Sequence, residues 1–121
     1  RPVVLFDLLV NNADRKGSHI LVQKRTRRLY LIDHGLCFHA EDKLRTVVWD
    51  FAGEPIPHDL QSTLSDFHAR LMQPDDLPAT LGAYLNPEEL TALRLRTEAL
   101  LSDGEFPPPP EGRRSFPYPP I

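Results

Sequence analysis

The stretch NNADRKGSHILVQKRTRRLYLIDHGLCF, residues 11–38, decides how this chain is read. It opens polar and charged, from Asn11 to Ser18, then passes into HILVQ (residues 19–23). It turns through the basic KRTR and returns as RLYLI (residues 28–32). Two runs of aliphatic, β-branched and aromatic residues around a short polar tip predict a β-hairpin. The basic tip reads as a solvated turn. A hairpin returns the chain to the end it left, so Asp14 before the first strand and Asp33 after the second are expected at one edge. Convergent carboxylates suit a divalent cation or the orientation of a hydroxyl group. Gly35, just beyond Asp33, allows another backbone or a ligand to come close. Taken singly, each aspartate has a simpler reading: Asp14 caps a turn, and Asp33 ends a strand before Gly35 turns the chain.

Outward from the hairpin, the preceding VVLFDLLV (residues 3–10) is too short for periodicity to separate a buried helix from a buried strand. Pro2 suits a first helical turn. Residues 39–58 lack a clear period, and Trp49, Phe51 and Ile56 are expected to anchor them by core packing. From residue 59 the spacing turns helical: Leu60, Leu64, Phe67 and Leu71 make one apolar face, predicting a helix over 59–72. Pro74 and Pro78 bracket a linker, and TLGAYL offers a further helical turn or two. Asn86-Pro87-Glu88-Glu89 is a strong helix start, with Asn86 as cap, Pro87 in the first turn and Glu89 reaching back. The helix over 87–102 carries Leu90, Leu93, Leu95, Leu100 and Leu101, and Gly104 ends it. Residues 105–121 form a proline-rich tail. Its polyproline segments suit an SH3-type partner, or packing on the domain surface pinned by Phe116 and Tyr118, which is the expectation adopted. The fold class expected is α+β, mostly helical, with one β-hairpin.

At 121 residues the chain is one domain in size. Its 40% hydrophobic and 26% charged residues are ordinary for a globular domain. The net charge of −3 argues against a dedicated nucleic-acid binder. No apolar run is long enough to span a bilayer, so no transmembrane segment is expected. The single Cys37 excludes an intramolecular disulfide and a multi-cysteine zinc site, and points to a reducing cytoplasm. Its apolar neighbours Leu36 and Phe38 predict an inert thiol. His39, His58 and His68 are scattered. The chain opens on Arg1 without a signal-peptide pattern, and an N-terminal portion is expected to be missing.

The sequences ADRKGSHIL and LIDHG resemble the catalytic loop and metal motif of the phosphatidylinositol 3/4-kinase group and its bacterial relatives. Their loop reads Asp-Arg-His-x-x-Asn and their metal motif Ile-Asp-Phe-Gly. The longer stretch from Asp7 to His39 resembles a small actinobacterial family related to that group. The motif match covers residues 7–38. The resemblance implies the C-terminal lobe of a kinase-like fold over residues 1–104, with catalytic loop 11–19, hairpin 19–33 and metal motif 33–35, the N-terminal lobe being absent. It implies Asp14 as the catalytic base, Asp33 as the principal ligand of Mg²⁺ or Mn²⁺ beside ATP, and Arg15 as a brace within the loop. Lys16 stands where the family has histidine and is placed to neutralise phosphate charge.

His19 departs from the family pattern, which has a metal-binding asparagine there. Mg²⁺ prefers oxygen, whereas imidazole suits Mn²⁺, Zn²⁺ or Fe²⁺. The departure leaves open a mixed-metal site, a single-metal site or a pseudokinase loop. His34, in place of phenylalanine, adds a second imidazole nearby. No nucleotide-binding residue is assignable, because no glycine-rich cover, strand lysine or acidic helix partner is present. The reading expected is a fragment of an ATP-dependent phosphotransferase of unknown acceptor, inactive and a poor nucleotide binder alone. A non-catalytic interaction domain and a nucleotidyl transferase are its rivals. The expected partners are the missing lobe, or a second copy through the exposed lobe interface.

Overall fold

The computed structural model describes residues 1–121. It is an α+β fold in which helices α1 (Pro2–Val10), α2 (His58–Leu71), α3 (Leu77–Leu81) and α4 (Pro87–Asp103) accompany one antiparallel hairpin, β1 (Ile20–Val22) and β2 (Leu29–Leu31). No helix is long and apolar enough to cross a membrane.

Residues 3–10, undecided by period, are helical. Pro2 sits in the first turn, and Asn11 closes the helix in the left-handed conformation at φ 54°, its N–H bonded to the Asp7 carbonyl. Asparagine tolerates that conformation better than most residues, which makes it an effective stop. Helix α4 starts as its sequence requires. Asn86 Oδ1 accepts the Glu89 N–H at 2.8 Å, and Glu89 Oε1 accepts the Asn86 N–H at 2.9 Å. Gly104, at φ 68°, ends it. Leu93 and Leu100 face inward, whereas Leu95, two positions off that stripe, is half exposed.

The core joins Val4 and Leu5 of α1, Leu64 of α2 and Leu100 of α4 with Ile56 and Phe106 from the flanking segments. Of the three expected anchors in residues 39–58, Ile56 is fully buried, while Trp49 and Phe51 lie at the core edge. Phe51 meets Phe106 at 6.2 Å between ring centroids. Glu54 and Phe106 pair across the chain, with the Phe106 N–H donating to the Glu54 carbonyl.

The tail does pack on the domain, but the expected pins are wrong. Phe116 is 49% and Tyr118 78% exposed, whereas Phe106 and Pro117 are buried. The reason lies in proline chemistry. A proline-rich segment has few N–H donors, so it attaches through its carbonyls. The Ser115 carbonyl accepts from the Thr46 N–H and the Trp49 indole, both at 3.1 Å.

The hairpin pairs Ile20 with Leu31, Leu21 with Tyr30 and Val22 with Leu29. Beyond the strands, the Ile32 N–H donates to the His19 carbonyl and the Gln23 N–H to that of Arg28. Lys24 to Arg28 are all exposed, as expected of a solvated tip. The hairpin projects with both faces half exposed, including Leu21, Val22, Leu29 and Tyr30.

Candidate metal centre

One buried guanidinium organises the corner. Arg15 is completely inaccessible and grips Asp7, itself 1% exposed, through Nε to Oδ2 at 2.9 Å and Nη2 to Oδ1 at 3.0 Å. Its Nη1 donates to the carbonyls of His19 at 3.3 Å and Ile32 at 3.2 Å. A single side chain therefore ties α1 to both strands at the open end of the hairpin. The backbone of Arg15 also bridges to Thr46, its N–H donating to the Arg45 carbonyl and its own carbonyl accepting from Val47. Asn12 joins the same network: its Nδ2 donates to Asp7, and its Oδ1 accepts the Asp14 N–H at 2.9 Å. That last bond is an Asx-type turn, and it sets the direction in which Asp14 leaves the loop. Asn11 Nδ2 donates to the carbonyls of His39 and Glu41, and Oδ1 accepts from Lys43.

At the open end of the hairpin, Asp14, His19 and Asp33 each offer a ligand atom, all within 4.8 Å of one another. His19 Nε2 lies 3.4 Å from Asp33 Oδ2. Its Nδ1 is 3.0 Å from the Asp14 carbonyl and 3.4 Å from the Lys16 N–H. With Nδ1–H donating to the carbonyl, the Nε2 lone pair faces the carboxylates, as a metal ligand requires; with Nδ1 accepting from the Lys16 N–H, Nε2–H points at Asp33 instead. A backbone carbonyl behind a histidine is the usual support of a metal-ligating imidazole. Ligands held about 2.0–2.2 Å from one ion stand about 3 Å apart when adjacent and about 4 Å apart when opposite. The 3.4 Å contact fits the first spacing, and the 4.8 Å limit needs only a small inward rotation of a carboxylate. A donor set of one imidazole and the Asp33 carboxylate, with Asp14 beside them, fits a divalent ion softer than Mg²⁺.

Asp33 adopts φ 61°, a conformation uncommon for a residue with a Cβ. Strain of this kind persists where surrounding bonds over-determine it, often at functional sites. Here the neighbouring Ile32 is clamped at its N–H by His19 and at its carbonyl by Arg15. The Asp33 side chain is 60% exposed and that of His19 11%, so the corner is walled on one side and open on the other. Lys16 Nζ stands 3.9 Å from Asp14 Oδ1 at the rim.

Of the residues singled out by sequence, Asp14, His19 and Asp33 come together, with Lys16 beside them. Arg15, grouped with the catalytic residues, has no exposed surface with which to touch a substrate. It is a positioning group, and its bond to the Ile32 carbonyl braces the segment leading into Asp33. His34 does not join the cluster; its ring meets Phe6 edge-on at 5.6 Å between centroids. No other group of three candidate ligands forms, so His39, His58 and His68 build no second centre.

Sequence reasoning missed Asp7 as a structural partner. Its signal was available: an acid inside an apolar helical run must find a cation when buried. Cys37 is half-buried, and burial, aided by the negative charge of Asp7, pushes its thiol up to about 11. A thiol moved from 9.0 to about 11 holds about a hundredfold less thiolate at pH 8. Alkylation of Cys37 is therefore expected to run about a hundredfold slower in the folded chain than in urea at that pH. Equal rates in the two states count against it. The folded state holds the thiol proton after the unfolded chain has lost it, so this group's contribution to stability declines as pH rises from about 9 to 11.

Comparison with known proteins adds one relative. Protein Rv2133c of Mycobacterium tuberculosis is 42% identical over 119 residues, a match covering 98% of this chain and 41% of the relative. The chain thus spans about two fifths of that protein's length. No family model and no solved structure matches this chain.

Proposed function

We propose that this chain carries the catalytic corner of a metal-assisted phosphotransferase that works within a longer cytoplasmic polypeptide. The observation that carries the reading is the convergence of Asp14, His19 and Asp33 at the end of a clamped hairpin. In this reading Asp33 and His19 hold a divalent cation, Mn²⁺ in preference to Mg²⁺, against the phosphates of ATP. Asp14 orients the acceptor hydroxyl and takes its proton as the γ-phosphoryl group moves to the oxygen. ADP leaves with the electron pair of the broken P–O bond. Lys16, at the rim, offsets charge on the phosphoryl group in transit. The acceptor is not named by this chemistry, which lipid, sugar and protein kinases share.

A second layer over the hairpin belongs to the same proposal. Leu21, Val22, Leu29 and Tyr30 are all between 47% and 56% exposed beside the corner. A two-stranded hairpin is marginal without further packing. The relative has most of its length outside the matched stretch, room enough for a covering lobe that completes the nucleotide cleft. A nucleotide bound with micromolar affinity by the 121 residues alone would count against that arrangement.

The test is incubation of the full-length protein with Mn²⁺, a cell extract and ATP labelled at the γ or the α position. Label transferred from γ alone supports the kinase reading. Label from α indicates nucleotidyl transfer. Absence of both, with a melting temperature indifferent to metal, leaves an interaction domain.

A further inference from the structure

Loop 12–19 is held from a direction that its sequence does not announce. The Gly17 N–H donates to the carbonyl of Pro120 at 2.9 Å, so the last residues of the tail lie directly on the turn between Lys16 and His19. The tail reaches the loop by a second path as well. Ser115 accepts from Thr46 and Trp49, and the segment holding Thr46 is bonded to the backbone of Arg15 on both sides. Arg113 locks the same layer, donating to the Leu44 carbonyl at 2.7 Å and to Asp42 at 2.9 Å. Loop, middle segment and tail thus form three backbone layers, with buried Pro117 between the two points of tail attachment.

We propose that the proline-rich tail is a positioning element of the candidate site, its Ser115 and Pro120 carbonyls holding loop 12–19 in the register that aims Asp14 and His19 at Asp33. The Gly17–His19 turn is only three residues long. With so few internal bonds, the direction of its His19 ring depends on what fixes its first N–H. The Pro120 carbonyl supplies that bond, and the Asp14 carbonyl then receives His19 Nδ1. Trp49 is a positioning residue in the same sense, acting on the loop through its bond to Ser115. The effect on metal binding rests on the reading of the corner as a metal site; the strap itself does not.

Because the acceptor on Gly17 is a backbone carbonyl, position and not side-chain identity matters at residue 120. A protein from which residues 119–121 are deleted keeps Pro117 and both Ser115 bonds but loses the Gly17 contact. In it the Gly17 amide is expected to exchange roughly five- to tenfold faster, the loss of one ordinary hydrogen bond. Mn²⁺ affinity measured by electron paramagnetic resonance is expected to fall at least threefold. Pro120→Ala retains the carbonyl and is expected to behave as wild type in both measurements, which a role in side-chain packing does not predict. Trp49→Phe is expected to weaken Mn²⁺ binding in the same direction. Unchanged Gly17 exchange in the shortened chain overturns the strap. Faster exchange with unaltered Mn²⁺ affinity overturns the positioning role. If wild type binds no Mn²⁺, the metal reading and the positioning role fall together, while Gly17 exchange still decides the strap.

Discussion

Arg15→Ala is expected to lower the melting temperature by more than ten degrees. The substitution strands Asp7 as an uncompensated charge inside α1 and removes the donor shared by the His19 and Ile32 carbonyls at the open end of the hairpin. Breaking a buried ion pair from one side costs about 3–5 kcal/mol. For a domain of this size each kcal/mol is worth roughly 3–5 °C. Arg15→Lys keeps a charge for Asp7 but lacks the planar fork that reaches the carboxylate and two carbonyls together. It should fall between alanine and wild type. The double change Asp7→Leu with Arg15→Met removes both charges and is expected to melt higher than either single charge deletion. It should still lose metal binding, because the His19 and Ile32 carbonyls no longer share a donor. Thermal unfolding followed by circular dichroism decides the matter. An Arg15→Ala protein melting within about three degrees of wild type contradicts the brace.

The second large effect concerns the cation. At a hundredfold excess over its dissociation constant, an ion bound only by the folded state stabilises it by about 2.7 kcal/mol. In a domain of this size that is a rise of roughly 10 °C. Mn²⁺ is expected to produce such a rise in the full-length protein, and Asp33→Asn to abolish it. Asparagine is the informative replacement because it accepts the left-handed backbone that Asp33 adopts, so the fold is kept while the anionic ligand is lost. His19→Asn exchanges imidazole for an amide oxygen and is expected to move the preference from Mn²⁺ towards Mg²⁺. Should wild type and Asp33→Asn respond alike to both ions, the corner holds no metal, and the interaction reading takes its place.

Much of this architecture was legible in the residues themselves. Two apolar runs around a basic tip suffice for a hairpin, and a hairpin must bring Asp14 and Asp33 to one edge. Asn86, Pro87 and Glu89 announce the start of α4 through groups only three residues apart. These features depend on neighbours in the chain, so backbone geometry and short-range hydrogen bonding determine them. Residues 3–10 show the limit: the run is apolar except for Asp7 and too short for a period, and its place against α2 and α4 makes it a helix with Asp7 turned to Arg15. The tail shows it again. Phe116 and Tyr118 suit anchors by sequence, yet Phe106, Arg113 and the Ser115 and Pro120 carbonyls hold it, and the Pro120 carbonyl holds a loop at the far end of the sequence. Periodicity carries no information about which distant N–H lacks a partner or which buried acid needs a cation. Those needs are met only when segments remote in sequence share the same low-dielectric interior, and the tertiary structure alone decides which segments those are.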